Sequence, residues 1–447
     1  MSVRVIGAGL AGCEAAWALA NHGVPVLLHE MKPQKYSPAH HNENFAELVC
    51  SNSLKAQRIG SAAGMLKEEM RRLGSLTVDC ALQTSVAAGG ALAVDRKAFS
   101  ALVTARIKAH PNIEVVPGEV RQIPQKGISI IATGPLTSDA LAAQIAEKCG
   151  GLLSFFDAAA PIVTFDSLDR EKVFFAARYD RGEDDYINCP FNQEEYERFY
   201  EALLDAQPAP LHEFDHPEQN VYEGCMPIEI MARRGADTIR YGPLKPVGLR
   251  DPRTGHRPWA VVQLRREDRE GRLYNLVGFQ TNLKFGEQQR VFSMIPGLEQ
   301  AEFVRYGVMH RNTFIRSPRL LESTFQMRED DRIYFAGQIT GVEGYMESAM
   351  SGILAGWQLA RRLQGNPPLV LPRDCMMGAL CAYVTGPDCA DFQPMGANMG
   401  LLPPLGERVK DKQQRYEQIA QRGLAHFEEA LKEQGVFTTQ RTKGFVP

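Results

Sequence analysis

The chain has 447 residues, 44% of them hydrophobic and 23% charged, with a formal net charge of −3. That balance is ordinary for a soluble globular protein; it excludes long disorder, a disulfide-dense scaffold and a uniformly basic nucleic-acid binder. One hydrophobic core usually serves no more than about 250 to 300 residues, so two lobes are expected.

Cys13, Cys50, Cys80, Cys149, Cys189, Cys225, Cys375, Cys381 and Cys389 form no C-x-x-C pair and no paired metal-ligand spacing. Free thiols in a reducing compartment, and no metal site, are the expectation. The apolar N-terminus is broken by Gly7, Gly9 and Gly12 instead of forming a leader, and no run approaches the roughly 20 apolar residues that cross a bilayer. A soluble, cytoplasmic protein without membrane association follows from this reading.

Taken in chain order, Val3 to Ile6 reads as a strand running into Gly7-Ala8-Gly9-Leu10-Ala11-Gly12, and Cys13 to Asn21 as the helix that follows. His22-Gly23 stops it, and a second strand from Val24 to His29 ends on Glu30. Helices are expected around Met65 to Leu73 and Asp95 to Ala109, with strands at Ile113 to Val116 and Ile128 to Ala132. The last of these runs into Thr133-Gly134, where glycine lets backbone approach a ligand. From about 155 to 304 the texture changes to strand-like runs (Ala160 to Phe165, Ala260 to Leu264, Tyr274 to Phe279) without βα alternation. The dinucleotide pattern resumes at Arg332 to Gly337, and Glu407 to Lys432 reads as a long amphipathic helix. The expected fold is therefore α/β, a discontinuous Rossmann-like FAD-binding domain (1–154 and 305–447) with an inserted α+β domain (155–304).

The cofactor assignment rests on two turns. Gly7, Gly9 and Gly12 let the chain turn tightly and bring backbone to a pyrophosphate at a helix N-terminus, while Glu30 is placed to take ribose hydroxyls. FAD instead of NAD is indicated by the second turn, Gly337-Gln338 to Gly341, Gly344 and Tyr345, where another helix opens with a row of backbone N–H groups. In flavoproteins such a terminus faces the edge of the ring system that gains negative charge on reduction.

With these motifs stand Glu47-Leu48-Val49-Cys50-Ser51-Asn52-Ser53-Leu54, Gly224-Cys225-Met226-Pro227-Ile228-Glu229 and Gly278-Phe279-Gln280-Thr281-Asn282-Leu283-Lys284. Together they resemble the folate- and FAD-dependent tRNA uracil-5-methyltransferases (the TrmFO family), with GidA flavoproteins as more distant relatives. The likeness runs the whole chain, but the helical C-terminal domain with which GidA proteins engage a GTPase has no counterpart here. It implies transfer of a one-carbon unit from 5,10-methylenetetrahydrofolate to C5 of the T-loop uridine at tRNA position 54. FAD would supply the hydride and NAD(P)H would reduce it again; tRNA and folate are the expected partners, with no obligate protein partner.

Uracil C5 becomes nucleophilic only after something adds to C6, so a thiolate and a proton acceptor are needed. Cys225, just before a stretch (Arg233 to Arg290) in which Lys and Arg outnumber Asp and Glu by about two to one, is assigned the attack on C6. Cys50 precedes Ser51-Asn52-Ser53, a stretch able to begin a helix and so favour a thiolate; it is assigned a place near the flavin. The residues alone allow these roles to be exchanged. His310, Asn282 and Lys284 are candidates for folate or substrate, and the basic stretch for RNA phosphates. Three other functions fit the same motifs: an FAD-dependent NAD(P)H oxidoreductase acting on a small molecule, a GidA-like tRNA-modifying flavoprotein, and an RNA-binding flavoprotein without methylation.

Overall fold

The computed structural model describes residues 2–180, 185–209, 226–386 and 392–436. Val3–Ile6 is the central strand of a six-stranded sheet in the order Gln326–Met327, Asp330–Phe335, Ser129–Ile131, Val3–Ile6, Val26–Glu30, Ile113–Pro117. All neighbours are parallel except the short Gln326–Met327 edge. The register sets Val5 against Leu28 on one side and Ile130 on the other, and a strand so enclosed reads as an unbroken apolar run.

The helix Leu10–Asn21 lies against this sheet, and Tyr345–Leu363, from near the end of the chain, packs along that helix. Their backbones approach closely because Gly352 and Gly356 face the first helix. A Cβ on Gly352 would fall 2.1 Å from the Ala11 carbonyl oxygen, and one on Gly356 would fall 2.8 Å from that of Ala15. Glu14, buried on the first helix, accepts from the Leu76 and Thr77 backbone N–H groups at 3.1 and 2.8 Å, so it helps to cap the helix Leu76–Gln83.

A second sheet is antiparallel and drawn from 162 to 305, in the order Phe174–Phe175, Tyr186–Phe191, Ala260–Arg266, Leu273–Leu276, Ile162–Thr164, Phe303–Arg305. It has its own apolar core, which includes Phe191, Phe199, Phe279 and Phe292, separate from the core around the parallel sheet. The chain enters and leaves this lobe through a paired two-stranded ribbon, Leu153–Ala158 with Met309–Phe314. The fold is α/β with a parallel sheet and an antiparallel insertion.

Two expectations need correction. The long helix near the C-terminus starts at Lys412 instead of Glu407, because Asp411 caps it by accepting from the Gln414 N–H at 2.7 Å. No helix begins after Cys50: Ser53–Ala56 is a strand that pairs antiparallel with Ala91–Val94. Asn52, fully buried, spends its amide on the carbonyls of Val94 and Arg266, which pins the segment as a loop. A helix terminus therefore contributes nothing to the Cys50 thiol. Among the described residues no helix is long and apolar enough to cross a membrane.

Candidate active site

The turn after Val3–Ile6 has the geometry its glycines demand. Gly7 has φ +99°, and a Cβ there would lie 2.7 Å from the Ala132 carbonyl oxygen; one on Gly12 would lie 1.7 Å from the carbonyl oxygen of Gly7. A Cβ on Gly9 would meet nothing within 4 Å. Two glycines thus hold the turn closed and the third keeps the space above it open. The Leu10–Asn21 helix begins at Gly9 with no side-chain cap, which leaves its first amides directed outward.

That space is one cleft of about 1130 Å³, lined by Gly7 to Ala11, Glu30, Lys32, Glu47, Val49, Thr133, Gly134, Gly337, Gln338, Tyr345 and Ser348 among others. Glu30 is buried and accepts from the Ala8 N–H at 2.8 Å and the Lys32 N–H at 2.9 Å, so its carboxylate is oriented by the turn and strand it follows. Lys32 is buried too; its ammonium donates to the carbonyls of Asn42 (3.0 Å) and Asn44 (2.5 Å) and lies 3.5 Å from Glu47. These residues fit FAD. The turn and the uncapped helix would hold the pyrophosphate, Glu30 a ribose, and the uncapped start of the Tyr345–Leu363 helix would face the flavin.

Glu30→Ala is expected to weaken FAD binding by about tenfold, the worth of a charge-assisted hydrogen bond, and also to lower the thermal transition of the FAD-free protein, because the Ala8 and Lys32 N–H groups lose their acceptor. Titrating that protein with FAD by fluorescence checks this, and an unchanged affinity would assign the ribose to another residue.

Not every glycine of the second turn reaches the cleft. Gly341 (φ +81°) and Gly344 (φ +119°) lie outside its lining. A Cβ on Gly341 would strike the Phe392 ring at 2.5 Å, and one on Gly344 the Glu347 carboxylate at 2.2 Å. Both let the chain turn into the helix. Beside them Glu343 accepts from the Gln338 amide at 2.5 Å, and burial, reinforced by nearby Asp157, pushes its carboxyl up to about 8.

Cys50 follows Val49 of the cleft lining and stands just outside that lining, half-buried, with its thiol 3.7 Å from the Ala158 carbonyl oxygen. Its backbone N–H donates to the Tyr345 hydroxyl at 2.7 Å, and that of Ser51 does so at 3.2 Å. Tyr345 is thus bound to the Cys50 loop while it lines the cleft. Three arginines also converge there: Arg96, Arg265 and Arg305. Sequence reading missed Arg96 and Arg305, which stand in segments without a motif, and counted Arg265 with the basic stretch expected to meet RNA phosphates instead.

Cys225 lies outside the described residues. On either side of its segment the chain is tied to the Gly278–Lys284 motif: the Ala209 N–H donates to the Asn282 carbonyl and the Ile228 N–H to that of Gln280, both at 2.7 Å. Asn282 is buried, and its N–H donates to Glu229 at 2.7 Å; the Lys284 ammonium donates to Gln207 at 2.9 Å. These two residues bind Glu229 and Gln207 and do not line the cleft. His310 belongs to the entry ribbon, where its backbone pairs with Asp157; its side chain is outside the described set. Cys13 is fully buried, and burial pushes its thiol far up, as befits packing. No cluster of His, Cys, Asp or Glu able to hold a metal occurs among the described residues.

Fold and cleft together define a two-lobed flavoprotein of the dinucleotide-binding class. The family model described as "Glucose inhibited division protein A" matches residues 2–367. Two crystal forms of Aquifex aeolicus GidA share the fold, with TM-scores of 0.68 and 0.67 at 18% and 17% identity; they cover 98% and 97% of this chain and 78% and 75% of GidA. The chain belongs to the TrmFO family within this group. It is 58% identical over 431 residues to a Geobacter sulfurreducens protein named methylenetetrahydrofolate–tRNA-(uracil-5-)-methyltransferase TrmFO, covering 96% of this chain and 99% of that one. It is 57% identical to the protein of the same name from Acetivibrio thermocellus, with 94% and 97% covered.

Proposed function

We propose that the protein transfers a one-carbon unit from 5,10-methylenetetrahydrofolate to uracil C5 at position 54 of the tRNA T-loop. The observation that carries this reading is a thiol, Cys50, fixed at the edge of a dinucleotide cleft through Tyr345 of the cleft wall. FAD, when bound, supplies the hydride that turns the transferred methylene into a methyl group, and NAD(P)H restores it. Cys225 adds as thiolate to C6, which loads the negative charge onto C5 and O4 and makes C5 nucleophilic. After C5 has gained its carbon, its proton must leave before the C6–S bond can break. In this reading Cys50 accepts that proton, or exchanges roles with Cys225. Action on tRNA puts the protein in the cytoplasm, and the reading requires no obligate protein partner.

Incubation with T-loop RNA, labelled methylenetetrahydrofolate and NAD(P)H tests the reading. Label is expected in 5-methyluridine; flavin reduction without labelled RNA would leave an oxidoreductase of another kind.

The inserted lobe offers cations for RNA phosphates, although fewer than the sequence suggests. Arg253 is paired with Asp251 at 2.7 Å, Arg240 sits 3.5 Å over the Trp259 ring, and Arg265 is buried on the Cys50 loop. Arg233, Lys245, Arg250, Arg257 and Lys284 are exposed. Methyl transfer at sub-saturating tRNA is expected to fall at least about tenfold between roughly 50 and 200 mM salt, since only this step displaces counterions from a polyanion. Reduction of the flavin by NAD(P)H should hardly change. Equal salt sensitivity of the two half-reactions would remove the inserted lobe from RNA binding.

A further inference from the structure

The five-residue loop Leu48–Asn52 is held from both lobes. From the parallel-sheet lobe, Arg96, the first residue of the Arg96–Ala109 helix, donates to the carbonyls of Leu48 (2.7 Å) and Cys50 (3.2 Å). From the inserted sheet, Arg305 donates to the carbonyls of Val49 and, at 3.5 Å, Cys50. Arg265, also from that sheet and buried, donates to the Ser51 hydroxyl at 2.8 Å and the Asn52 side-chain oxygen at 2.9 Å. Glu267 pairs with Arg96 at 2.6 Å and so fixes the angle at which that guanidinium meets the loop. A loop without regular structure, three of whose successive carbonyls are bonded by planar forks, has little freedom left.

The grip is tightest on one peptide. The Cys50 N–H is taken by Tyr345 and its carbonyl by Arg96 and Arg305 together, so both ends of the residue are fixed, and its thiol stands 3.7 Å from the Ala158 carbonyl oxygen. We propose that Arg305 is a positioning residue for Cys50: through the Val49 and Cys50 carbonyls, the inserted lobe sets where the thiol stands relative to the cleft. The catalytic consequence rests on the function proposed above, whereas the grip itself does not.

The test uses FAD-loaded Arg305→Gln and Arg305→Lys proteins and two readouts. One is the rate at which iodoacetamide alkylates Cys50, followed by peptide mapping with the half-buried Cys381 as internal reference. The other is the separation of kcat from KM for T-loop RNA. A displacement of about 1 Å in a reacting group costs on the order of 100-fold, so Arg305→Gln should lower kcat by roughly 30- to 100-fold with KM changed less than about twofold. Its Cys50 alkylation rate should change by at least about fivefold while Cys381 stays constant. Arg305→Lys, which keeps the charge and can reach one carbonyl, should recover part of both, and it serves as the test protein if the glutamine variant does not retain flavin. An unchanged Cys50 alkylation rate overturns the proposal whatever happens to turnover, as does a raised KM at unchanged kcat, which would make Arg305 an RNA contact. Wild-type protein that transfers no methyl group would refute the proposed function, and the alkylation readout would then decide the grip by itself.

Discussion

Cys225→Ala protein is expected to form no covalent complex with T-loop RNA containing 5-fluorouridine, whereas the wild type forms one that survives denaturation. Fluorine at C5 replaces the proton whose departure lets the thiolate leave C6, so the attacking sulfur stays attached. The described chain on both sides of Cys225 is anchored on Gln280 and Asn282, outside the cleft lining, so the variant should keep its bound, reducible FAD. Cys50→Ala is expected to lose turnover by a factor on the order of 100 to 10,000, the range for a positioned proton-transfer group. Its flavin spectrum should shift, because Cys50 borders the cleft through Tyr345. Denaturing electrophoresis of the three proteins with labelled RNA gives the answer. If Cys50→Ala loses the adduct and Cys225→Ala retains it, the two roles are exchanged; if both retain it, neither sulfur attacks C6.

Two substitutions in the first glycine turn should both give colourless protein, for different reasons. Gly12→Ala puts a methyl group 1.7 Å from the Gly7 carbonyl oxygen, against backbone that cannot yield without opening the turn. Overpacking of this kind costs about 1–3 kcal/mol or more, so its thermal transition should fall with its flavin content. Gly9→Asp meets no atom of the protein within 4 Å of its new Cβ. It should therefore fold with the stability of FAD-free wild type and fail only to bind, its carboxylate lying where a pyrophosphate is expected. Purification followed by flavin absorbance and thermal denaturation separates the two. A yellow Gly9→Asp protein would remove the cleft from cofactor binding.

The parallel half of the fold was legible because each of its parts has a local signature. The Val3–Ile6 strand, the glycine turn and Glu30 fall within thirty residues of one another, and the spacing alone places the acid beside the turn. Gly337 and Tyr345 were readable for the same reason. Arg305 and Arg96 were not: their roles come from carbonyls of a loop that the fold brings to them from far along the chain, and backbone carbonyls leave no mark in a sequence. The helix expected after Cys50 failed on similar grounds. Ser51-Asn52-Ser53 is a good cap in isolation, but Asn52 finds buried partners in two other strands, and those tertiary bonds outweigh local preference. Asn282 and Lys284 stood in a recognised motif, yet their donors face Glu229 and Gln207; the motif marks an anchor as readily as a ligand contact.

The close packing of Gly352 and Gly356 on Ala11 and Ala15 has a consequence for biosynthesis. A ribosome releases the glycine turn first, but the surface that seats its helix is encoded more than three hundred residues later. Until the Tyr345–Leu363 helix has emerged, the Leu10–Asn21 helix has an apolar flank without its partner, and Asp330–Phe335 has yet to join Ser129–Ile131 in the sheet. The inserted lobe, whose core is drawn from residues 160 to 301, has all its strands by then and is free to fold first. The middle of the nascent protein is therefore able to fold before its beginning is complete, and the cleft for flavin has all its walls only once the Tyr345–Leu363 helix has emerged.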